Sequence, residues 1–299
     1  MKTFIKLILI TGALLLATAS AAQDTPQDDS EALKLAAMEA LISAPPERAL
    51  PLVNKVLAGN NSIELKERAL FILSQIDDEG AQQTLLELAK NPGGELQAEA
   101  IRMIGVGGNE ASLASLKGIY ESGDGEARDA VLEAFLIAGD KQAILDIAVS
   151  SEGDDFERAV DMLGAMGASA ELRELLSRTG PSEALIEAYA ISGDIEELRR
   201  MALDDSNPEI QAQAIEAMGI VGGEDANATL VQIYRDAPSE AIREAALDGM
   251  LISNNDAGVL ELYRSSDDPA MKRELLEYLV MMGSDDVWNI IDSALAGDQ

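Results

Sequence analysis

The sequence predicts an all-α fold, an α-solenoid of about nine stacked helix-turn-helix repeats. Three observations support this prediction. A small or aliphatic residue recurs every 26 to 32 residues at the centre of an amphipathic segment, and a turn-forming residue recurs eight positions after it. Strand signals are absent, since no segment alternates polar and apolar residues and only 3% of the residues are aromatic.

Each repeat begins with a helix that buries one stripe. Positions one and four residues after each central residue are apolar in every repeat, and both offsets lie on one helical face. A helix pair of this size cannot bury its own apolar face, whereas stacked copies share a continuous core. We call the central residues anchors, and they are Ala69, Ala100, Val131, Ala159, Leu185, Ala214, Ala246 and Leu275.

The ends of these helices carry their own signals. Glycine, asparagine and aspartate tolerate a left-handed backbone best, and such a residue stands at the C′ position of each first helix. These turn residues are Asp77, Gly108, Gly139, Gly167, Gly193, Gly222, Asn254 and Gly283. Seven positions before the anchor, N-cap residues stand at Ser62, Asp124, Asn207, Ser239 and Asp268, and Gly93 takes the same position in a sixth repeat.

Residues 124–134 (DGEARDAVLEA) and 239–249 (SEAIREAALDG) resemble HEAT repeats, and more narrowly the short HEAT-like repeats of the phycobilisome-lyase type. The resemblance covers about residues 62–296 and implies an α-solenoid. The family's Arg position is filled by Arg or Lys in four repeats and by other residues in the rest, including Gln97 and Gln211. The motif determines fold and hardly determines function.

Composition excludes several classes of chemistry. With no His and no Cys, the chain has no Ser-His-Asp triad, no imidazole metal ligand, no thiolate nucleophile and no disulfide. Some HEAT-like proteins, such as deoxyhypusine hydroxylase, use His-Glu metal sites, and that activity does not carry over to a chain without His. A net charge of −32 argues against nucleic-acid binding, and it predicts only weak, diffuse screening by divalent cations.

The N-terminus has the pattern of a secretory signal peptide. Lys2 and Lys6 precede an apolar run at 7–17, and small residues follow up to Ala22. The sequence therefore predicts a signal peptide at 1–22, a disordered lead at 23–30 and a single solenoid domain at 31–299. Cleavage near Ala22 would place the protein in the periplasm or outside the cell. No later segment is apolar and long enough to span a membrane.

The candidate protein-binding face consists of arginines expected on second helices, together with a C-terminal tryptophan. Arg is a good carboxylate clamp, although pairing of these arginines with neighbouring acids is the alternative interpretation. Trp288 either forms an exposed patch or caps the last repeat. The members of this face are Arg173, Arg199, Arg200, Arg235, Arg264 and Trp288.

Other motifs have simpler explanations. The repeated Asp pairs, such as 154–155 and 204–205, are interpreted as helix-terminal residues, with calcium binding as the alternative. The Gly105–Gly108 run lacks the strand that a phosphate loop needs. The sequence thus predicts no cofactor and no catalytic residue. It predicts an exported, non-enzymatic scaffold that binds another protein, with an accessory or lyase-type enzyme as the alternative.

Overall fold

The computed structural model describes residues 26–296, with side chains at 30–293 and 295. This part of the chain contains eighteen helices and no β-strand, which confirms the all-α solenoid of nine helix pairs. The predicted signal peptide at 1–22 lies outside the described residues. The helices are α1 Pro26–Leu41, α2 Pro46–Ala58, α3 Ile63–Gln75, α4 Glu79–Ala89, α5 Gln97–Gly107, α6 Glu110–Ser122, α7 Gly125–Ala138, α8 Lys141–Ser150, α9 Asp154–Ala165, α10 Ser169–Thr179, α11 Glu183–Ser192, α12 Ile195–Ala202, α13 Pro208–Val221, α14 Glu224–Asp236, α15 Glu240–Ile252, α16 Asp256–Ser265, α17 Pro269–Met282 and α18 Asp286–Ala296.

The chain divides into two compact units within α3, one ending at Ile72 and one beginning at Leu73. In the first unit, α2 buries Ala49 and Val53, and Arg68 of α3 forms an ion pair with Glu39 of α1. In the second unit, successive first helices contact one another along the chain, and so do most successive second helices. All eight anchors are completely buried, as the stripe pattern predicts.

The predicted helix ends are mostly confirmed. Seven of the eight turn residues have positive φ, including Gly139 and Gly193 at 72° and Asn254 at 54°. The five polar N-caps each accept a hydrogen bond from the first turn of the following helix, for example Asp124 from the Ala127 N–H at 3.0 Å. These local signals act within one turn of helix, so they are correctly predicted without knowledge of tertiary packing.

Three local predictions are wrong. Asp77 does not have positive φ, because α3 ends early at Gln75 and Asp78 instead caps α4. Gly93 is not an N-cap, because α5 begins only at Gln97. The predicted disordered lead at 23–30 is helical from Pro26 onward, where α1 starts, while residues 23–25 lie outside the described part.

We expect Gly139→Val to lower the free energy of unfolding by about 1–2 kcal/mol, because a branched residue is strained in the left-handed region. A Cβ at Gly139 would meet no atom within 4 Å, so a steric clash contributes nothing to this cost. Thermal unfolding followed by circular dichroism measures the effect. A melting temperature equal to that of the wild type would contradict the assigned turn.

Candidate protein-binding surfaces

The predicted arginines lie on second helices, as the sequence indicates. Arg173 is on α10, Arg199 and Arg200 are on α12, Arg235 is on α14 and Arg264 is on α16. The side of the solenoid formed by the second helices therefore carries a series of cations. Trp288 lies on α18 and is 69% exposed, so it is not covered as the cap interpretation expects.

All five arginines form ion pairs with carboxylates, which favours the alternative interpretation of acid pairing. Pairs that are exposed on both sides contribute only about 0–1 kcal/mol each to stability, whereas the Asp194 and Glu197 carboxylates are only 12% and 14% exposed. Arg173 and Arg200 share Glu197, at 4.0 and 2.7 Å, and Arg173 also binds Asp194 at 3.0 Å. The remaining pairs are Arg199–Glu196 at 3.4 Å, Arg235–Glu261 at 2.5 Å and Arg264–Asp286 at 3.7 Å.

Arg173 and Arg200 line an open groove of about 340 Å³ between α10, α12 and the start of α13. Leu176, Met201 and Ile210 supply its apolar lining. The lining does not include the other four members of the predicted face. The structure therefore brings together two of the six predicted residues and places the others separately.

Similar grooves recur between second helices elsewhere in the second unit. One of about 470 Å³ lies between α6 and α8, where Leu113 and Ile147 face Lys117 and Asp146. Another of about 750 Å³ lies between α4 and α6, and it includes Lys90 and Ile119. These grooves are open to solvent, and each lies between helices of neighbouring repeats. A surface of this kind suits an extended partner better than a small molecule.

The acidic residues do not converge on a metal site within 26–296, since no three His, Cys, Asp or Glu side chains there are placed to hold an ion. The Asp154–Asp155 pair has a structural role. Asp154 and Asp155 open α9, and Asp155 binds Arg128 at 2.9 Å. Among the described helices, none is long and apolar enough to cross a membrane.

A second surface, which the sequence interpretation missed, lies on the first helices. In six repeats, the residue two positions after the anchor is acidic. In five of these six repeats, the residue six positions after the anchor is an exposed aliphatic or Met side chain. The two positions are four residues apart and therefore lie on one face. We call the three consecutive copies on α11, α13 and α15 the ladder, and its members are Glu187, Ile191, Glu216, Ile220, Asp248 and Ile252.

The aliphatic members of the ladder are unusually accessible for isoleucine. Ile191 is 47% exposed, Ile220 is 65% exposed and Ile252 is 48% exposed. Ile137 on α7 and Met281 on α17 extend the same register at 48% and 59%. Single exposed apolar residues are ordinary, whereas a series in register with the repeat is a feature of the surface as a whole.

On α9, α11 and α13 the carboxylates in this register have little positive charge nearby, whereas Glu133 beside Ile137 pairs with Arg102 at 2.5 Å. No Lys or Arg among the described residues forms an ion pair with Asp161, Glu187 or Glu216. Partial burial raises the pKa of Glu187, and the negative charges of Asp161, Glu183 and Glu157 raise it further. Burial and Glu157 raise the pKa of Asp161 in the same way. This part of the surface is therefore electrostatically unfavourable in the isolated chain.

We expect Glu187→Gln to stabilise the protein at pH 7 by about 0.2–0.5 kcal/mol, the usual magnitude for one like-charge contact on a helix surface. Because its folded pKa is raised, the ionised Glu187 costs stability, and this cost disappears below its ordinary pKa of 4.5. The gain in melting temperature should therefore vanish near pH 4. Exposed Glu121 on α6 offers a matched control as Glu121→Gln, and a gain independent of pH would contradict the interpretation.

The helix pairs, left-handed turns and repeated grooves define an α-solenoid. A family model of HEAT repeats matches residues 53–136 and 142–250. The chain belongs to the HEAT-repeat family, which confirms the resemblance found in the repeat motifs. No curated protein matches the sequence significantly.

Solved structures with some similarity include human deoxyhypusine hydroxylase in complex with glycerol, with 16% identity, coverage of 76% of this chain and 99% of that chain, and a TM-score of 0.32. An engineered protein has 17% identity and a TM-score of 0.33, and the match covers 89% of this chain and 91% of that chain. The complex of CpcE and CpcF of phycocyanin lyase from Nostoc sp. PCC7120 has 19% identity and a TM-score of 0.26, and the match covers 81% of this chain and 93% of that chain. At these TM-scores, none supports an argument about activity.

Proposed function

We propose that the protein is an exported, non-enzymatic scaffold that binds another protein along the surface of its HEAT-repeat solenoid. HEAT repeats generally mediate protein interaction, which supports the binding part of the proposal. Export rests on the N-terminal pattern of Lys2, Lys6, an apolar run and small residues up to Ala22.

The observation that carries the proposal is the recurrence of open grooves between successive second helices. Three such grooves combine apolar walls with charged rims, as between Leu176, Met201, Arg173 and Glu197. Several shallow sites in one row can bind an extended polypeptide through many weak contacts. The alternative of an accessory or lyase-type enzyme has no specific observation in its favour, so we propose no catalytic activity.

Capture from a cell-envelope extract with residues 23–299 as bait tests the binding part. We expect a discrete protein to be retained, and Arg173→Ala with Arg200→Ala to reduce its retention. Arg48→Ala with Lys55→Ala on α2 is the matched control, since it removes the same charge from a second helix in the first unit. Failure to retain any protein, or equal loss with both double variants, would contradict the use of this groove.

Cell fractionation followed by mass spectrometry of the N-terminal peptide tests the export part. The proposal predicts a chain beginning at about Gln23 in the periplasmic or external fraction. A chain that keeps Met1 in the cytoplasmic fraction would contradict export and leave the binding part untouched.

A further inference from the structure

The ladder on the first helices combines two features that a free surface seldom keeps together. Its isoleucines are about half exposed, so each leaves apolar area in water. The carboxylate one turn earlier on the same helix either has no cationic partner among the described residues, as at Glu187 and Glu216, or accepts a hydrogen bond from an uncharged group, as Asp248 does from Tyr278 at 2.6 Å. Each rung therefore offers one apolar and one anionic contact.

The rungs lie side by side because small residues bring the first helices close together. Helix α11 contacts α13, and a Cβ on Gly219 of α13 would lie 2.7 Å from the Cα of Gly249 on α15. Helices in such contact have axes about 8–10 Å apart. The apolar and anionic groups thus form two parallel rows that cross α11, α13 and α15.

Charge complementarity decides what can cover these rows. An apolar partner would bury Glu187 and Glu216 without counter-ions, at a high cost in desolvation. An acidic partner would add to the repulsion among Asp161, Glu157 and Glu187. A partner with alternating basic and apolar side chains satisfies both rows at once.

We propose that the ladder is the docking surface for a cationic amphipathic helix of a partner protein, with its apolar residues on Ile191, Ile220 and Ile252 and its Lys or Arg residues on Glu187, Glu216 and Asp248. This inference rests on the proposed function, since both require a protein partner, and it specifies a different face and the chemistry of that partner.

The repeat lengths of the two surfaces agree. Seven residues of an α-helix advance about 10.5 Å, close to the separation of packed helices in the solenoid. A helix lying across the first helices would therefore present a residue of each kind to each rung if its apolar and basic positions repeat every seven residues.

A synthetic peptide serves as the probe for this surface. The peptide is fluorescein-labelled, about three heptads long, and carries Leu and Lys on one face at heptad spacing. Its dissociation constant for residues 23–299 is measured by fluorescence anisotropy at physiological salt. The same peptide with Glu in place of Lys, and a scrambled peptide of the original composition, should bind at least about tenfold more weakly if the surface recognises both rows.

Two sets of variants separate the ladder from the general negative charge of the chain. Ile191→Ser, Ile220→Ser and Ile252→Ser together keep every charge and should weaken binding about tenfold. Val149→Ser with Leu203→Ser is the control, because both residues are exposed aliphatics on or directly after second helices. Glu187→Gln with Glu216→Gln should weaken binding and reduce its salt dependence, whereas Glu121→Gln on α6 with Glu224→Gln on α14 should do neither.

The outcomes are distinguishable. Loss of binding in the ladder variants with unchanged helical circular dichroism, and no loss in the controls, supports the docking surface. Equal weakening by ladder and control variants, or a dissociation constant of the isoleucine variant within about twofold of the wild type, would show diffuse charge attraction and overturn it. If the ladder variants bind the peptide as the wild type does while the chain still captures an envelope protein, the proposed function stands and only the ladder fails.

Discussion

Gly105→Ala is expected to destabilise the protein by about 1–3 kcal/mol, although alanine is the better helix former. Gly105 lies in α5, and a Cβ there would stand 2.5 Å from the carbonyl oxygen and 2.7 Å from the Cα of Ala134 in α7. The atoms in the way are backbone, so the two helices must separate to accommodate one methyl group. Urea and thermal unfolding followed by circular dichroism measure the loss.

The matched control is the same substitution in the next helix. A Cβ on Gly118 in α6 would meet no atom within 4 Å. Gly118→Ala should therefore raise stability by up to about 1 kcal/mol through helix propensity and reduced freedom of the unfolded chain. If both variants change stability in the same direction and by the same amount, the close approach of α5 and α7 is not as described.

Gln97→Leu is expected to lower the free energy of unfolding by about 1–3 kcal/mol, because it leaves the buried carbonyl of Ala89 without a partner. The Gln97 amide donates to the Ala89 carbonyl at 3.1 Å, and its oxygen accepts from the Gly93 N–H at 2.9 Å. Ala89 is the last residue of α4, so no N–H group of the helix donates a hydrogen bond to its carbonyl. Leucine fills a similar volume and supplies neither bond.

Two further variants make this prediction specific. Gln83→Leu on the exposed side of α4 should change stability by less than about 0.5 kcal/mol. Gln97→Arg should cost less than Gln97→Leu, because Arg128 makes the equivalent bond from its Nε to the Tyr120 carbonyl at 3.3 Å. A leucine variant as stable as the wild type would contradict this role of Gln97.

These two positions show what a single sequence can and cannot predict. Left-handed turns and N-caps depend on a few adjacent residues, and so Gly139 and Asp124 are correctly identified. The role of Gly105 depends on which residue of the next repeat lies opposite, and that register follows only from the stacked helices. The glycine run at 105–108 thus combines helix packing with one turn residue, Gly108 at φ 63°.

The Arg position of the repeat motif has a similar explanation. Gln97 and Gln211 depart from the family pattern in the sequence, yet Gln211 donates to the Ala202 carbonyl at 3.0 Å just as Gln97 donates to Ala89. Both side chains donate a hydrogen bond to a backbone carbonyl in the last turn of the preceding second helix, as Arg128 does. The motif conserves a hydrogen-bond donor in these repeats, and its structural role could be assigned only once the preceding helix was in place.

The binding surface was predicted only in part. The repeat pattern placed the arginines on second helices. It did not identify their partners, because Asp194 and Glu197 approach Arg173 from the following repeat. The ladder was present in the same repeat alignment, two and six residues after the anchor. It could be recognised only with exposure known, since Ile220 at 65% and the buried Ile215 look alike in sequence.

Site-specific photo-crosslinking in living cells tests the central claim that this solenoid binds a protein along its surface. A photoreactive residue is placed at Ile220 on the ladder, at Ser177 in the groove beside α10, or at exposed Glu152 in the turn before α9 as a control. The account predicts a discrete adduct with another protein from Ile220 or Ser177, and a weaker adduct or none from Glu152. Absence of any protein adduct from both surface positions, in cells that export the chain, would contradict a scaffold function.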